Sequence, residues 1–152
     1  MYPLMRQINI TYRCGVLYRE RQLADLGLNG YQPPYLTALY RTPGISQEEL
    51  ARNMNLNKSS VARQLAALEA AGYVRREADP ADRRSLLVYP TEKALAIQDR
   101  LHATMRSWRE YLTQGFTPEE QETLSRLMIR VAQRAEDYVK GGDGACGSSA
   151  NT

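Results

Sequence analysis

Between residues 46 and 90 the chain spells out two capped helices, a short polar turn between them, and two short strands flanking a loop rich in arginine. Ser46-Gln47-Glu48-Glu49 is a capping box, in which the Ser46 hydroxyl can accept from the Glu49 N–H while the Glu49 carboxylate reaches back to the Ser46 N–H. Ile45 and Leu50 stand where a hydrophobic staple belongs. Asn57 is placed to cap a second helix, with Leu56 positioned to staple onto Val61. The intervening Arg52-Asn53-Met54-Asn55 is rich in asparagine, which tolerates turn conformations. Two helices joined by so short a turn predict a helix-turn-helix unit.

Val61, Leu65 and Leu68 recur at helical spacing in the second helix and predict one buried stripe. Asn57, Lys58, Ser59, Ser60, Arg63 and Gln64 are left on or beside the opposite face, near the helix N-terminus. That end presents free N–H groups and a positive dipole to a phosphate, and the planar forks of Arg63 and Gln64 match the base edges of guanine and adenine in a major groove. Taken alone, such a face is equally a solvated helix surface. The segment beyond the helix argues for DNA. Gly72 can end the helix in the left-handed conformation, after which Tyr73–Arg76 and Leu86–Tyr89 predict two short strands. The loop from Glu77 to Ser85 carries Arg83 and Arg84, and its length and charge suit the minor groove, whose negative potential attracts arginine. Asp82 is expected to pair with a neighbouring arginine and aim it, since a lone carboxylate would be repelled by phosphate.

Several motifs in this stretch together resemble the MarR family of bacterial transcription regulators. They are Gly44-Ile45-Ser46-Gln47-Glu48-Glu49-Leu50-Ala51, Lys58-Ser59-Ser60-Val61-Ala62-Arg63, Leu68-Glu69 with Gly72-Tyr73-Val74, Asp79 with Asp82-Arg83-Arg84, and Thr91-Glu92-Lys93. The resemblance covers residues 6 to 140. It implies a homodimer on a pseudo-palindromic operator, usually repressing transcription, and often released by a small phenolic or lipophilic ligand or by thiol oxidation. Two departures stand out: the family's Leu-Thr-x-x-Gly helix start is here Pro90-Thr91-Glu92-Lys93-Ala94, and the acidic-basic pattern of the wing is simplified around Ala81.

With 152 residues, 43% of them hydrophobic, the chain suits a single domain. A formal charge of +3 is only mildly basic, so where the charge sits counts for more than its total. From Asn57 to Pro90 the basic residues Lys58, Arg63, Arg75, Arg76, Arg83 and Arg84 all fall on the reading helix or the wing. The expected architecture is mainly α with a small β-wing: a winged helix-turn-helix over about 34–90, between dimerisation helices over about 6–28 and 91–140. Ile10, Cys14 and Leu17 share a stripe of the first helix. Leu36, Leu39 and Tyr40 lie on a second helix opened by Pro33-Pro34. Ile97, Leu101, Met105, Trp108 and Leu112 predict one long helix from Thr91 to Gly115. A last helix starts at Thr117-Pro118-Glu119-Glu120 and is expected to bury Leu124, Leu127, Met128, Val131, Ala135 and Tyr138. Terminal helices this long present more apolar face than a small winged helix can cover, which predicts a partner chain.

Residues 141–152 are rich in Gly and Ser and are expected to be disordered. No apolar run approaches bilayer length and no signal-peptide pattern opens the chain, so the expected location is the cytoplasm, with no membrane partner. His102 is the only histidine; no metal-ligand spacing, phosphate loop or nucleophile elbow is present, and neither catalysis nor a cofactor is expected. A protein-binding winged helix is the alternative to a DNA reader. By the same resemblance, Tyr12, Tyr31, Tyr35, His102, Met105 and Trp108, with Tyr18 and Tyr40, fall in segments that meet between the dimer helices and the reading unit, where an aromatic wall would suit a flat ligand. Taken singly, each has the plainer reading of a core or dimer contact. Cys14, one turn before Tyr18, looks like the reactive cysteine of the peroxide sensors in that family; the plainer reading is a small buried cysteine.

Overall fold

The computed structural model describes residues 3–141, so the Gly- and Ser-rich segment expected to be disordered lies, from residue 142, outside the described residues. Contacts divide the chain into two compact units, one ending at Tyr111 and the other beginning at Leu112. The first contains α1 (Leu4–Gln22), a 3-10 turn at Ala24–Leu26, α2 (Pro33–Arg41), β1 (Ile45–Ser46), α3 (Gln47–Met54), α4 (Lys58–Ala70), β2 (Val74–Ala78), β3 (Leu86–Pro90) and α5 (Glu92–Ala96). Helix α6 (Gln98–Leu112) ends at the boundary, and α7 (Pro118–Gly141) belongs to the second unit.

The helix-turn-helix forms where its caps place it. Ser46 Oγ accepts from the Glu49 N–H at 3.1 Å and Asn57 Oδ1 from the Ser60 N–H at 2.7 Å, each satisfying a donor that a helix start leaves without a backbone partner. Asn55 takes the left-handed conformation at φ 53° and turns the chain between the helices. Ile45 and Leu50 are both buried, as a staple requires, whereas Leu56 remains 42% exposed beside a fully buried Val61. Helix α4 ends in a Schellman motif: the Tyr73 N–H donates to the Leu68 carbonyl at 2.9 Å and the Gly72 N–H to that of Glu69 at 3.0 Å, with Gly72 at φ +82°. Tyr73, expected to open the first strand, instead has its ring in the core and donates from its hydroxyl to the Leu26 carbonyl at 2.6 Å. The start of α5 holds the same corner, with Thr91 Oγ1 donating to the Gly72 carbonyl and Lys93 Nζ to that of Ala71, each at 2.6 Å.

The sheet is antiparallel in the order β1-β3-β2, with Arg76 opposite Val88, Arg75 opposite Tyr89, and Ile45 also paired to Val88. Leu36, Leu39, Leu50, Val61, Leu65, Leu68, Val88 and Leu101 are nearly inaccessible and join α2, α3, α4, the sheet and α6 around one core.

Two expectations change, both in the C-terminal helices, and the stripe of the first helix lies outside the chain's own core. The first helix buries Gly15, Val16 and Arg19, while Ile10, Cys14 and Leu17 stay exposed. The segment expected as one long helix from Thr91 breaks at Ile97, between α5 and α6, and of its apolar stripe only Leu101 is buried. Helix α7 starts with the expected capping box, Thr117 and Glu120 bonding reciprocally at 2.9 and 3.2 Å. None of its residues is buried within the chain.

Candidate nucleic-acid interface

The N-terminal end of α4 carries the side chains that sequence reasoning assigned to DNA. Asn57, Lys58, Ser59 and Arg63 are exposed; Ser60 and Gln64 are half-buried. Arg63 Nη2 lies 3.4 Å from Ser60 Oγ, one turn back along the helix, which keeps the guanidinium near the leading end. Lys58 Nζ donates to Glu48 Oε1 at 2.7 Å, and this bond is the main reason the Glu48 carboxyl sits below the usual carboxylate range. Both groups are solvated, so the pair contributes little and a phosphate can take the place of Glu48.

The wing tip is more ordered than its length suggests. The Asp79 N–H donates to the Ser85 carbonyl at 2.9 Å and the Ser85 N–H to that of Asp82 at 2.9 Å, closing the loop across its base. Asp79 Oδ1 accepts from the Ala81 N–H at 2.9 Å, and Asp82 Oδ1 from the Arg84 N–H at 3.1 Å. Asp82 therefore shapes the tip as an Asx turn. It does not pair with an arginine side chain, contrary to expectation; the backbone N–H two residues on is the nearer donor. The Arg83 and Arg84 side chains are exposed and have no partner among the described residues. A small notch lined by Gln47, Glu48, Lys58, Arg84, Ser85 and Leu86 brings the start of α4 and the root of the wing together.

Arg75 and Arg76, adjacent in sequence and both expected at DNA, diverge because successive strand residues face opposite sides of a sheet. Arg75 stacks over the Tyr89 ring, 4.3 Å from its centroid, and pairs with Glu77. Arg76 turns to the other side, where its guanidinium meets Glu69 and Gln47 and is only 19% exposed. The exposed contact expected of Arg76 is absent.

The aromatic wall separates into distinct places. Tyr12 and Tyr31 are both more than half exposed, whereas Tyr35 is buried, which pushes its hydroxyl up, and burial likewise lowers the pKa of the Arg19 guanidinium. Arg19 Nε donates to the Gly30 carbonyl at 2.7 Å, and the turn approaches α1 so closely that a Cβ on Gly30 would fall 2.2 Å from the Val16 oxygen. Trp108 stacks on Tyr18 at 4.7 Å and on Tyr111 at 6.0 Å, and covers Gly15. His102 and Met105 line a separate open cleft of about 720 Å³ bounded by α2, α3 and α6. Sequence reasoning missed most of that cleft's lining: Pro33, Pro34, Thr37, Asn53, Met54 and the arginines Arg41, Arg106 and Arg109, with no carboxylate among them. His102 meets the Tyr40 ring edge-on at 6.2 Å. Tyr40 donates to the Ala94 carbonyl at 2.5 Å, and burial pushes its hydroxyl up to about 12. Cys14 is exposed on α1 in the single chain, where no core of that chain covers it.

Replacing Arg84 by alanine should weaken DNA binding about equally for all sequences and lower the salt slope by about one for each subunit bound, the behaviour of a phosphate contact. Anisotropy titrations at several salt concentrations read both.

An exposed reading helix held by a helix-turn-helix, beside a wing with unpartnered arginines, defines a winged-helix DNA-binding protein. The sequence pattern of the MarR family matches residues 32–86. The chain is 32% identical to YybA, an uncharacterized HTH-type transcriptional regulator of Bacillus subtilis, over 94% of this chain and 97% of that one. It is 30% identical to an HTH-type transcriptional repressor of Mycobacterium tuberculosis over 80% and 90% of the two chains. A MarR transcriptional regulator from Methanosarcina mazei superposes with a TM-score of 0.84 at 29% identity, covering 87% of this chain and 95% of that one. The chain belongs to the MarR family and is a DNA-binding transcriptional regulator.

Proposed function

We propose that the protein is a cytoplasmic repressor that binds a pseudo-palindromic operator as a homodimer and releases it when a small aromatic or lipophilic anion enters the cleft between α2, α3 and α6. On this reading residues 1–140 act as one dimer-forming domain, with the winged helix-turn-helix over about 34–90 carried between terminal helices. The observation that carries it is the apolar content left uncovered at both chain ends. On α7, Leu124, Leu127, Met128 and Ile129 are 40–57% exposed, and on α1 Ile10, Tyr12 and Leu17 are 39–58% exposed. Soluble chains rarely leave that much contiguous apolar surface to water unless a partner covers it. A twofold dimer would set its two α4 helices about one helical turn of DNA apart, so that each half-site meets one of them.

The cleft supports the effector half of the reading. It lies between the helix-turn-helix and α6, and its apolar walls of Pro33, Ile45, Leu50 and Met105 are accompanied by arginine and free of carboxylate, which suits a flat anion. A ligand releases DNA only if it binds the non-binding arrangement better, because equal affinity for both shifts nothing. Selection from genomic fragments should return an inverted repeat, and aromatic carboxylates should release it. Arg106→Ala should blunt that release while leaving operator affinity intact. A monomer in sedimentation at micromolar concentration, or selection without an inverted repeat, would overturn the repressor reading; failure of every carboxylate would remove the effector.

A further inference from the structure

Glu69 and Arg76 stand apart from the other charged groups of the reading unit. Glu69 lies near the C-terminal end of α4, and Arg76 lies in β2, the outer strand of the sheet. Glu69 Oε1 accepts from Arg76 Nη2 at 3.0 Å; Oε2 accepts from the Arg76 backbone N–H at 3.1 Å and from its Nε at 3.4 Å. Arg76 Nη1 donates in turn to Gln47 Oε1, at the start of α3, at 3.3 Å. One guanidinium thus joins the wing to both helices of the helix-turn-helix. The backbone bond also occupies an N–H that an edge strand would otherwise leave open. Hydrogen bonding from Arg76 holds the Glu69 carboxyl below the usual carboxylate range, so it is ionised throughout the neutral range.

The geometry points to Glu69, Arg76 and Gln47 as positioning residues that fix the angle between the wing and α4, so that Arg83 and Arg84 reach the minor groove when α4 enters the major groove. This rests on the DNA-binding role of the chain, and none of the three need touch DNA. A two-stranded ribbon is weakly held by its own pairing, and beyond the Schellman turn at Gly72 this clamp is the polar link between the end of α4 and β2. At about 3.3 Å per residue the wing tip lies roughly 10 Å beyond Arg76, so a swing of roughly 10° would carry the arginines about 2 Å from their phosphates.

Charge alone predicts the opposite of the clamp. Removing a carboxylate near DNA should tighten binding, because repulsion with phosphate is relieved. The clamp requires Glu69→Ala to weaken binding of the wild-type operator by about tenfold, the size of a coupling between neighbouring groups. It also requires Arg84→Ala to cost little more in that background, because the wing is already displaced. Thermal melts confirm that the variants fold, and Glu69→Gln, which keeps the shape, replaces the alanine variant if that one does not. Equal or tighter binding by Glu69→Ala, or additive effects of Glu69→Ala and Arg84→Ala, would overturn the clamp. Amide exchange of the free protein separates this from the DNA reading: the Arg76 N–H should exchange about tenfold faster in Glu69→Ala, whether or not an operator is found, and unchanged exchange would also overturn it. Absence of any wild-type DNA binding would sink the DNA reading and leave the exchange result to decide the clamp.

Discussion

Replacing Leu127 and Met128 together by glutamate will turn the protein into a monomer and lower operator affinity by at least about a hundredfold, the advantage that linking two weak half-site contacts provides. Both residues lie on α7 with Leu124, at spacings of three and four, and all three are 40–46% exposed in the single chain. A helix with no buried residue gains nothing from its own chain by being apolar on one face. In a dimer those side chains leave water, and each contributes on the order of 1.5–3 kcal/mol if fully buried. A pair of carboxylates placed there must be desolvated without partners, which a marginal interface does not survive. Sedimentation velocity reads the assembly and anisotropy reads the operator. The single chain should keep its fold, since Leu36, Leu65, Leu68 and Leu101 pack without help from α7. A dimer that persisted in the glutamate variant would place the interface on another face.

Local rules made the reading unit legible and left its long-range contacts obscure. Ser46, Asn57, Gly72, Thr91 and Thr117 each make their capping bonds within a few residues of themselves, so a cap can be recognised from its neighbours alone. The two-residue strand β1 was hidden because Ile45 serves twice, as the residue before a capped helix and as the partner of Val88, some forty positions on. The break at Ile97 has no proline or glycine to announce it, and the apolar period runs through it. The same period placed Ile10 and Leu17 in a stripe without saying what covers them. Arg75 and Arg76 looked alike because strand register, which sends one to Tyr89 and the other to Glu69, is set by pairing with a distant strand. The cleft escaped for a related reason. Aromatic rings mark a ligand site in a sequence, whereas these walls are largely proline, threonine, methionine and arginine drawn from α2, α3 and α6.

Arg63→Ala should have a different signature from any wing variant. Arg63 is exposed one turn into α4, its guanidinium beside Ser60 and without a carboxylate partner among the described residues. A bidentate contact from such a position to a guanine edge is worth about 1–3 kcal/mol of discrimination against the wrong base, and a dimer makes it twice. Selection from a randomised operator should therefore recover, for the variant, a consensus that has lost its preference at one symmetric pair of positions. Affinity for the best operator should fall by about tenfold or more. The effect on salt slope separates the roles: a base contact releases few counterions, so the slope should stay near the wild-type value, whereas Arg84→Ala lowers it. If Arg63→Ala lowered the slope and left the consensus intact, Arg63 would be a phosphate contact. Base reading would then fall to other polar side chains on the leading turns of α4, such as Gln64 and Ser59.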